Sequence, residues 1–193
     1  MKVKIGVSNH HVHLCQKDFE TLFGLNYDLK VDHKLSQPGE FASTDRVALK
    51  TNKAVILNVR ILGPIRDYTQ VEISKTDAIK LGLNPPIRES GDLKGTSPIT
   101  IVGPYCEIKL DEGCIIASRH IHLNPSDVKK YQLEGKEKVK VKLPGEKGGI
   151  IDNVALKVND NYNFELHLDT DDANAHLIKQ GDYGIILMGD DNE

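Results

Sequence analysis

The chain has 193 residues, 39% of them hydrophobic and none of them Trp, and its formal net charge at pH 7 is −3. This length suits one large domain or two small ones, and the modest charge argues against a nucleic-acid-binding protein. No apolar run approaches the roughly 20 residues that span a bilayer, and no signal peptide is visible. The three cysteines lack the spacing of a disulfide framework or a cysteine zinc module. The composition therefore indicates a soluble protein of a reducing compartment.

Short runs of Val, Ile and Leu alternate with Gly, Pro, Asn and Asp along the chain, which is typical of many short strands. We predict strands at 4–8, 54–62, 69–74, 98–102, 114–118, 138–143, 150–158, 163–168 and 183–187. We predict short helices at 17–23 and 75–81, from Asn124 onward, and at 171–180. This spacing of strands favours a barrel or a sandwich over a doubly wound parallel sheet.

Two stretches lack this pattern. Residues 24–45 show little periodicity, and we interpret them as an insertion or a lid-like excursion. Residues 189–193 are acidic, and we expect them to form a frayed tail.

Two segments share the pattern His-x-His-Leu after a small polar turn: His11-Val12-His13-Leu14 and His120-Ile121-His122-Leu123. In an extended strand the side chains at i and i+2 project from one face, so each histidine pair can point at one metal ion. A single His-x-His is a weak signal, because surface histidine pairs are common. Two copies, each followed by a predicted helix, indicate an internal duplication. We expect two metal ions, or one site shared by two related halves.

Other residues can complete these pairs, because a divalent ion needs three or four ligands. His167 lies on the polar face of the alternating segment 163–168, which can equally be a half-buried strand with a solvated face. Glu72 shares a strand face with Gln70 and can equally be an exposed edge residue. Arg66 is either a surface arginine or a planar fork for a phosphate or carboxylate.

Five motifs stand in order along the chain: Val7-Ser8-x-x-His11-Val12-His13-Leu14, Leu62-Gly63-Pro64-x-Arg66-x-x-Thr69-Gln70-Val71-Glu72, Arg88-x-Ser90-Gly91-Asp92-Leu93, Ala117-Ser118-Arg119-His120-Ile121-His122 and His167-Leu168-Asp169-Thr170-Asp171-x-Ala173-Asn174-Ala175. In order and spacing they resemble the PduL-type phosphotransacylases, also called phosphate propanoyltransferases. The resemblance covers nearly the whole chain.

The resemblance implies an enzyme that exchanges an acyl group between coenzyme A and orthophosphate. It implies a mainly β fold of two small, internally duplicated β-barrels capped by short helices, with a two-zinc site between them. Residues 1–9 and 118–188 would form one barrel and residues 10–117 the other, with the insertion at about 24–45.

The resemblance also implies site residues. Two zinc ions would each have three protein ligands: His11, His13 and Glu72 for one, and His120, His122 and His167 for the other. The sulfur of coenzyme A could take the fourth place on the first zinc, and water or phosphate could bind the second. Arg66 would bind phosphate, and Ser8 and Ser90 would lie near coenzyme A.

The partners implied are acyl-CoA, phosphate and a second copy of the chain, with no nucleic acid and no membrane. Some members carry an N-terminal amphipathic extension that targets a bacterial microcompartment. Met1 is only seven residues before Ser8, so we expect a cytoplasmic protein. His10 stands where the resemblance predicts a basic residue, usually arginine, and where the second copy has Arg119, so its role stays open.

Two other functions suit the same residues. A metal-dependent hydrolase of thioesters or phosphoesters could use the same six ligands and would need no phosphate. A non-catalytic β-barrel module could bind a structural metal, which usually has a closed set of four protein ligands. The native metal is open as well, because histidine and carboxylate ligands accept several divalent ions.

Overall fold

The computed structural model describes residues 1–188, so the predicted acidic tail lies outside the described residues. Its strands are β1 Lys2–Ser8, β2 His11–His13, β3 Val31–Lys34, β4 Phe41–Lys50, β5 Val55–Gly63, β6 Gln70–Glu72, β7 Ile87–Arg88, β8 Ser97–Val102, β9 Glu107–Ala117, β10 His120–Leu123, β11 Lys138–Leu143, β12 Gly149–Val158, β13 Glu165–Asp169 and β14 Tyr183–Leu187. Its helices are α1 Gln16–Phe23, α2 Lys75–Leu81, α3 Pro125–Lys130 and α4 Thr170–Ala175. Within residues 1–188 no helix has the length and apolar character needed to cross a membrane.

The chain divides into two compact units. The terminal unit contains Met1–Ser8 and the chain from Ser118 onward, and the central unit contains Asn9–Ala117.

The terminal unit is a closed barrel of six strands in the order β1-β13-β10-β12-β11-β14, with β14 pairing back to β1. Alternation of residue type along β11 places Val139, Val141 and Leu143 inside, while the lysines between them stay exposed. These valines and leucines pack with Ile5, Ile121 and other side chains into one apolar core. Burial of this face fixes the register of β11, because a slip of one residue would bury lysines.

The central unit also closes into a barrel of six strands, β4-β5-β2-β6-β9-β8, because β8 pairs with both β4 and β9. Two more strands extend this sheet, β3 beside β4 and β7 beside β9. The core includes Leu14, Phe19, Leu49, Ile61 and Ile101. The predicted fold class, mainly β with two small barrels and few short helices, is confirmed.

The two barrels have matching topology. Strands β2, β5, β6, β9, β8 and β4 of the central unit correspond in order to β10, β12, β13, β1, β14 and β11 of the terminal unit. All six pairings keep the same parallel or antiparallel sense. The strands that precede the two His-x-His segments are exchanged between the units, so that each belongs to the barrel of the unit that does not contain the following His-x-His segment. β1 precedes β2 but pairs within the terminal unit, and β9 precedes β10 but pairs within the central unit.

Three predicted elements differ from the structure. Residues 24–45 are less irregular than predicted, because they contain β3 and the start of β4, whose Ala42 and Ser43 are buried. Strand β9 begins seven residues before the predicted start at Cys114. The last helix ends at Ala175 instead of residue 180, and His176 is its C-cap. The last helix cannot continue because Leu177 has a φ of 55°, outside the helical region, whereas the strands in 24–45 and the start of β9 are fixed by pairing with strands elsewhere in the unit.

Candidate functional site

Strand pairing gives each His-x-His pair a third candidate ligand. In the central unit β2 and β6 are antiparallel, with His11 opposite Glu72. In the terminal unit β10 and β13 are antiparallel, with His120 opposite His167. Glu72 and His167 therefore occupy corresponding positions. In each group of three residues the candidate ligand atoms all lie within 4.8 Å of one another.

In the central unit His11 and His13 are both buried. The Nδ1 atom of His11 lies 2.8 Å from the carbonyl oxygen of Asn9. A carbonyl only accepts, so Nδ1 carries a proton, and in the neutral ring Nε2 has the lone pair that can bind a metal. That Nε2 atom lies 3.4 Å from Oε2 of Glu72.

The two histidines of this group differ in electrostatic environment. Burial lowers the pKa of His11, but the charge and hydrogen bond of Glu72 outweigh it, so the pKa lies above its ordinary value. Burial lowers the pKa of His13 well below the ordinary value, and His11 and Arg66 lower it further. His13 is therefore neutral at pH 7, which is the form that binds a metal.

In the terminal unit His120 repeats the arrangement of His11. Its Nδ1 atom lies 2.8 Å from the carbonyl oxygen of Ser118, two residues earlier, which again leaves Nε2 as the lone-pair atom. The His120 ring is parallel to that of His167, with centroids 5.0 Å apart. The ring of His122 stacks on Tyr162 at 4.0 Å. The three imidazoles are thus held by a backbone carbonyl and by ring contacts.

Both groups suit a divalent metal. His13 is buried and its imidazole is neutral, and a buried neutral imidazole keeps a lone pair that is costly to bury unless something binds it. His11 and His120 have the fixed tautomer that second contacts usually impose on metal ligands. The donor sets, two imidazoles with a carboxylate and three imidazoles, match those of catalytic zinc sites with an open position.

Arg66 lies in the central unit in a polar network. Its Nη1 donates to Oγ of Ser90 at 3.1 Å and its Nη2 donates to Oε1 of Glu40 at 3.2 Å. The buried Gln70 side chain donates to the same Ser90 oxygen at 2.9 Å and to Oε1 of Glu72 at 2.6 Å. The network therefore connects the arginine with Glu72, the third candidate ligand of this unit.

Glu40 is the member of this network that the sequence did not single out. It lies in the stretch interpreted as an insertion, just before β4. Burial raises the pKa of its carboxyl group, although Arg66 acts in the opposite direction. The turn Gln37-Pro38-Gly39 was the available signal, because it predicts that a strand begins after it. Of the two serines expected near coenzyme A, Ser90 is in this network, and Ser8 ends β1 in the terminal unit.

His10 has a definite partner. Its Nδ1 atom lies 2.8 Å from Oδ2 of Asp77, near the start of α2. In the terminal unit Arg119 makes a bidentate pair with Asp172, both distances being 2.6 Å, near the start of α4. Asp77 and Asp172 are both third in their helices, where the N-cap side chain accepts from their backbone N–H. His10 and Arg119 thus make equivalent contacts in the two units, because each precedes a His-x-His strand and bonds to the third residue of a short helix.

Comparison with known proteins gives consistent matches. A family model described as phosphate propanoyltransferase matches residues 4–179. A protein of Thermotoga maritima is 48% identical over 95% of this chain and 88% of its own length. One from Lachnoclostridium phytofermentans is 46% identical over 96% and 87%, and one from Rhodopseudomonas palustris is 42% identical over 94% and 80%. All three are named phosphate propanoyltransferase.

Proposed function

The chain belongs to the phosphate propanoyltransferase family, a family of phosphotransacylases, and on that premise we propose that it transfers a short acyl group reversibly between coenzyme A and orthophosphate, using two zinc ions. The observation that carries the proposal is the completion of each His-x-His pair by a third ligand on the paired strand. The two other functions considered from the sequence have no observation of their own to favour them.

Six residues would hold the zinc ions, three in each unit: His11, His13 and Glu72, and His120, His122 and His167. Bound zinc supplies a Lewis acid for a carbonyl and a ligand position for a soft thiolate or a water. We propose that the central unit's zinc accepts the coenzyme A sulfur and that the terminal unit's zinc accepts water or phosphate.

Arg66 is the proposed phosphate-binding residue. A guanidinium has five N–H donors in a planar fork, and the contacts to Ser90 and Glu40 fix its plane. Donors outside those two contacts can bind phosphate oxygens. Phosphate is a weak nucleophile, so holding it in the attacking geometry supplies a large part of the rate.

The proposed reaction is a direct transfer. A phosphate oxygen forms a bond to the carbonyl carbon, the carbon–sulfur bond breaks, and the electron pair leaves on sulfur. The buried Cys114 is unsuited as an acyl carrier, because burial raises the pKa of its thiol to about 12. Intact mass spectrometry after mixing with acyl-CoA without phosphate tests this step, and a protein carrying the acyl mass would refute it.

Further parts of the proposal concern coenzyme A and assembly. We propose that Ser8 and Ser90 contact coenzyme A, which predicts a raised KM for coenzyme A in Ser8→Ala. We also propose a cytoplasmic homodimer. Light scattering on the purified chain measures its mass directly, and a monomer at all concentrations would exclude the dimer.

The test of the whole function is release of thiol from acetyl-, propanoyl- and butanoyl-CoA with and without phosphate. The expected result is thiol release that requires phosphate, with acyl phosphate trapped as a hydroxamate. Release of free acid without phosphate would instead identify a thioester hydrolase. No release under either condition, with metal bound by four protein ligands per ion, would indicate a non-catalytic module.

A further inference from the structure

A second position on the paired strand also corresponds between the two units. Gln70 lies two residues before Glu72, and Glu165 lies two residues before His167. In register His13 is opposite Gln70 and His122 is opposite Glu165. Both side chains are buried, at 0% and 2% exposure. The same place in the two barrels thus holds a neutral amide in one unit and a carboxyl group in the other.

Each of these side chains lies against the third ligand of its own unit. The Gln70 amide donates to Oε1 of Glu72 at 2.6 Å. Oε2 of Glu165 lies 3.3 Å from Nε2 of His167. In the central unit a donor, the Gln70 amide, thus contacts the Glu72 carboxylate. In the terminal unit an acceptor, the Glu165 carboxylate, contacts the His167 imidazole. The candidate ligand group of the terminal unit contains its three histidines and not Glu165, which lies beside them on the same strand face, opposite His122 and two residues before His167.

The neighbouring strand makes room for Glu165. Gly6 is opposite His167 on the parallel strand β1, and a Cβ on Gly6 would lie 3.2 Å from Cδ of Glu165. The corresponding residue of the central unit is Ile115, which is opposite Glu72 and fully buried. A glycine in a strand interior weakens the strand and often marks a close approach, which here is the approach of the Glu165 side chain.

The charge of the two sites is then equal although their ligands differ. A histidine that binds a metal is neutral, so with metal bound the central site would take its one negative charge from Glu72. The terminal site would then take its one negative charge from Glu165. A carboxylate at 2% exposure is costly to bury, and a divalent cation on the adjacent imidazoles would lower that cost.

We propose that Glu165 is a positioning residue for the metal of the terminal unit, which orients His167 and supplies, from a place beside this ligand, the negative charge that Glu72 supplies directly in the central unit. The inference rests on the zinc-binding part of the proposed function. Outer carboxylates of this kind typically change metal affinity about 10- to 100-fold.

The experiment isolates the terminal site in a His11→Ala/His13→Ala background and measures its zinc affinity by competition with a chromophoric chelator. Glu165→Gln should weaken that affinity about 10- to 100-fold. Adding His167→Glu to Glu165→Gln reproduces the Gln–Glu pair of the central unit and should restore most of the loss. Glu137→Gln removes an exposed carboxylate of the same unit and is the matched control, with no change expected.

A second measurement separates a local effect from misfolding. In the otherwise native chain, Glu165→Gln should lower bound zinc at limiting free metal from two per chain to one, whereas a misfolded chain would lose both. Unchanged affinity in Glu165→Gln, or a double variant that binds no better than the single one, would overturn the inference. Absence of zinc binding in the background itself would overturn the metal sites as well, and failure of acyl transfer with normal zinc affinities would overturn the proposed reaction alone.

Discussion

Replacing Arg66 by alanine tests the phosphate-binding proposal most directly. Its backbone N–H donates to the carbonyl oxygen of Leu14 at 2.9 Å, a contact that the substitution retains. The change removes the guanidinium held by Ser90 and Glu40. A hydrogen bond to a charged group contributes about 1.5–3 kcal/mol, so the loss of one phosphate contact should lower kcat/KM for phosphate about 10- to 150-fold. Arg66→Lys should lie in between, because an ammonium retains the charge but not the planar fork.

The assay is steady-state thiol release at varied phosphate concentration, with bound zinc measured on the same samples. Arg66 lowers the pKa of both His11 and His13, so the comparison is made at pH 8, where these histidines can bind metal in either protein. The matched control is Arg60→Ala, which removes an ion pair with Asp32 and should leave the phosphate KM unchanged. An unchanged phosphate dependence in Arg66→Ala, or loss of zinc from it, would refute the assigned role.

Three further predictions concern stability and reactivity. Burial raises the pKa of Glu40 above its ordinary value of 4.5, so the folded state holds this proton more tightly than the unfolded chain, and the free energy of unfolding falls as pH rises from about 4.5 through the raised pKa. In urea unfolding Glu40→Gln should therefore be more stable than wild type at pH 8 and equal to it below pH 4, and an equal difference at both pH values would contradict this. Cys106 is exposed, whereas Cys114 is buried with a pKa of about 12. The reaction of the protein with an aromatic disulfide reagent should therefore lose its fast phase in Cys106→Ser and be unchanged in Cys114→Ser. Ile121 is fully buried and lies between the candidate ligands His120 and His122 in the sequence. Ile121→Val should lower the free energy of unfolding by about 0.5–1.5 kcal/mol, and no measurable loss would count against the packing described.

The candidate ligands could be identified from the sequence because the signal is local. His-x-His in a strand places two imidazoles on one face whatever surrounds the strand. Glu72 and His167 were candidates for the same reason, since each alternates with apolar neighbours. Arg66 stood out through the motifs that its segment shares with the family.

The roles of Glu40, Asp77 and Glu165 could not be obtained in this way. Glu40 reaches Arg66 across 26 positions, and His10 reaches Asp77 across 67. Nothing in the local sequence distinguishes such residues from solvated acids, because a buried contact leaves a periodic signal only within one element. The segment 24–45 illustrates the limit, since pairing with β5 makes a strand of residues that show no pattern on their own.

The sequence by itself determined the many short strands, the duplicated His-x-His segments and the candidate imidazole and carboxylate ligands, because these depend on residue type and on the period of a strand. The resemblance of the motifs also implied which third residue joins which pair and which strand belongs to which barrel, whereas only the tertiary structure decided the partners of Glu40, Asp77 and Glu165. Those choices depend on the register of strands far apart in the chain, and register is set by burial of one face across the whole barrel. The exchange of β1 and β9 and the place of Glu165 beside His167 follow from that register.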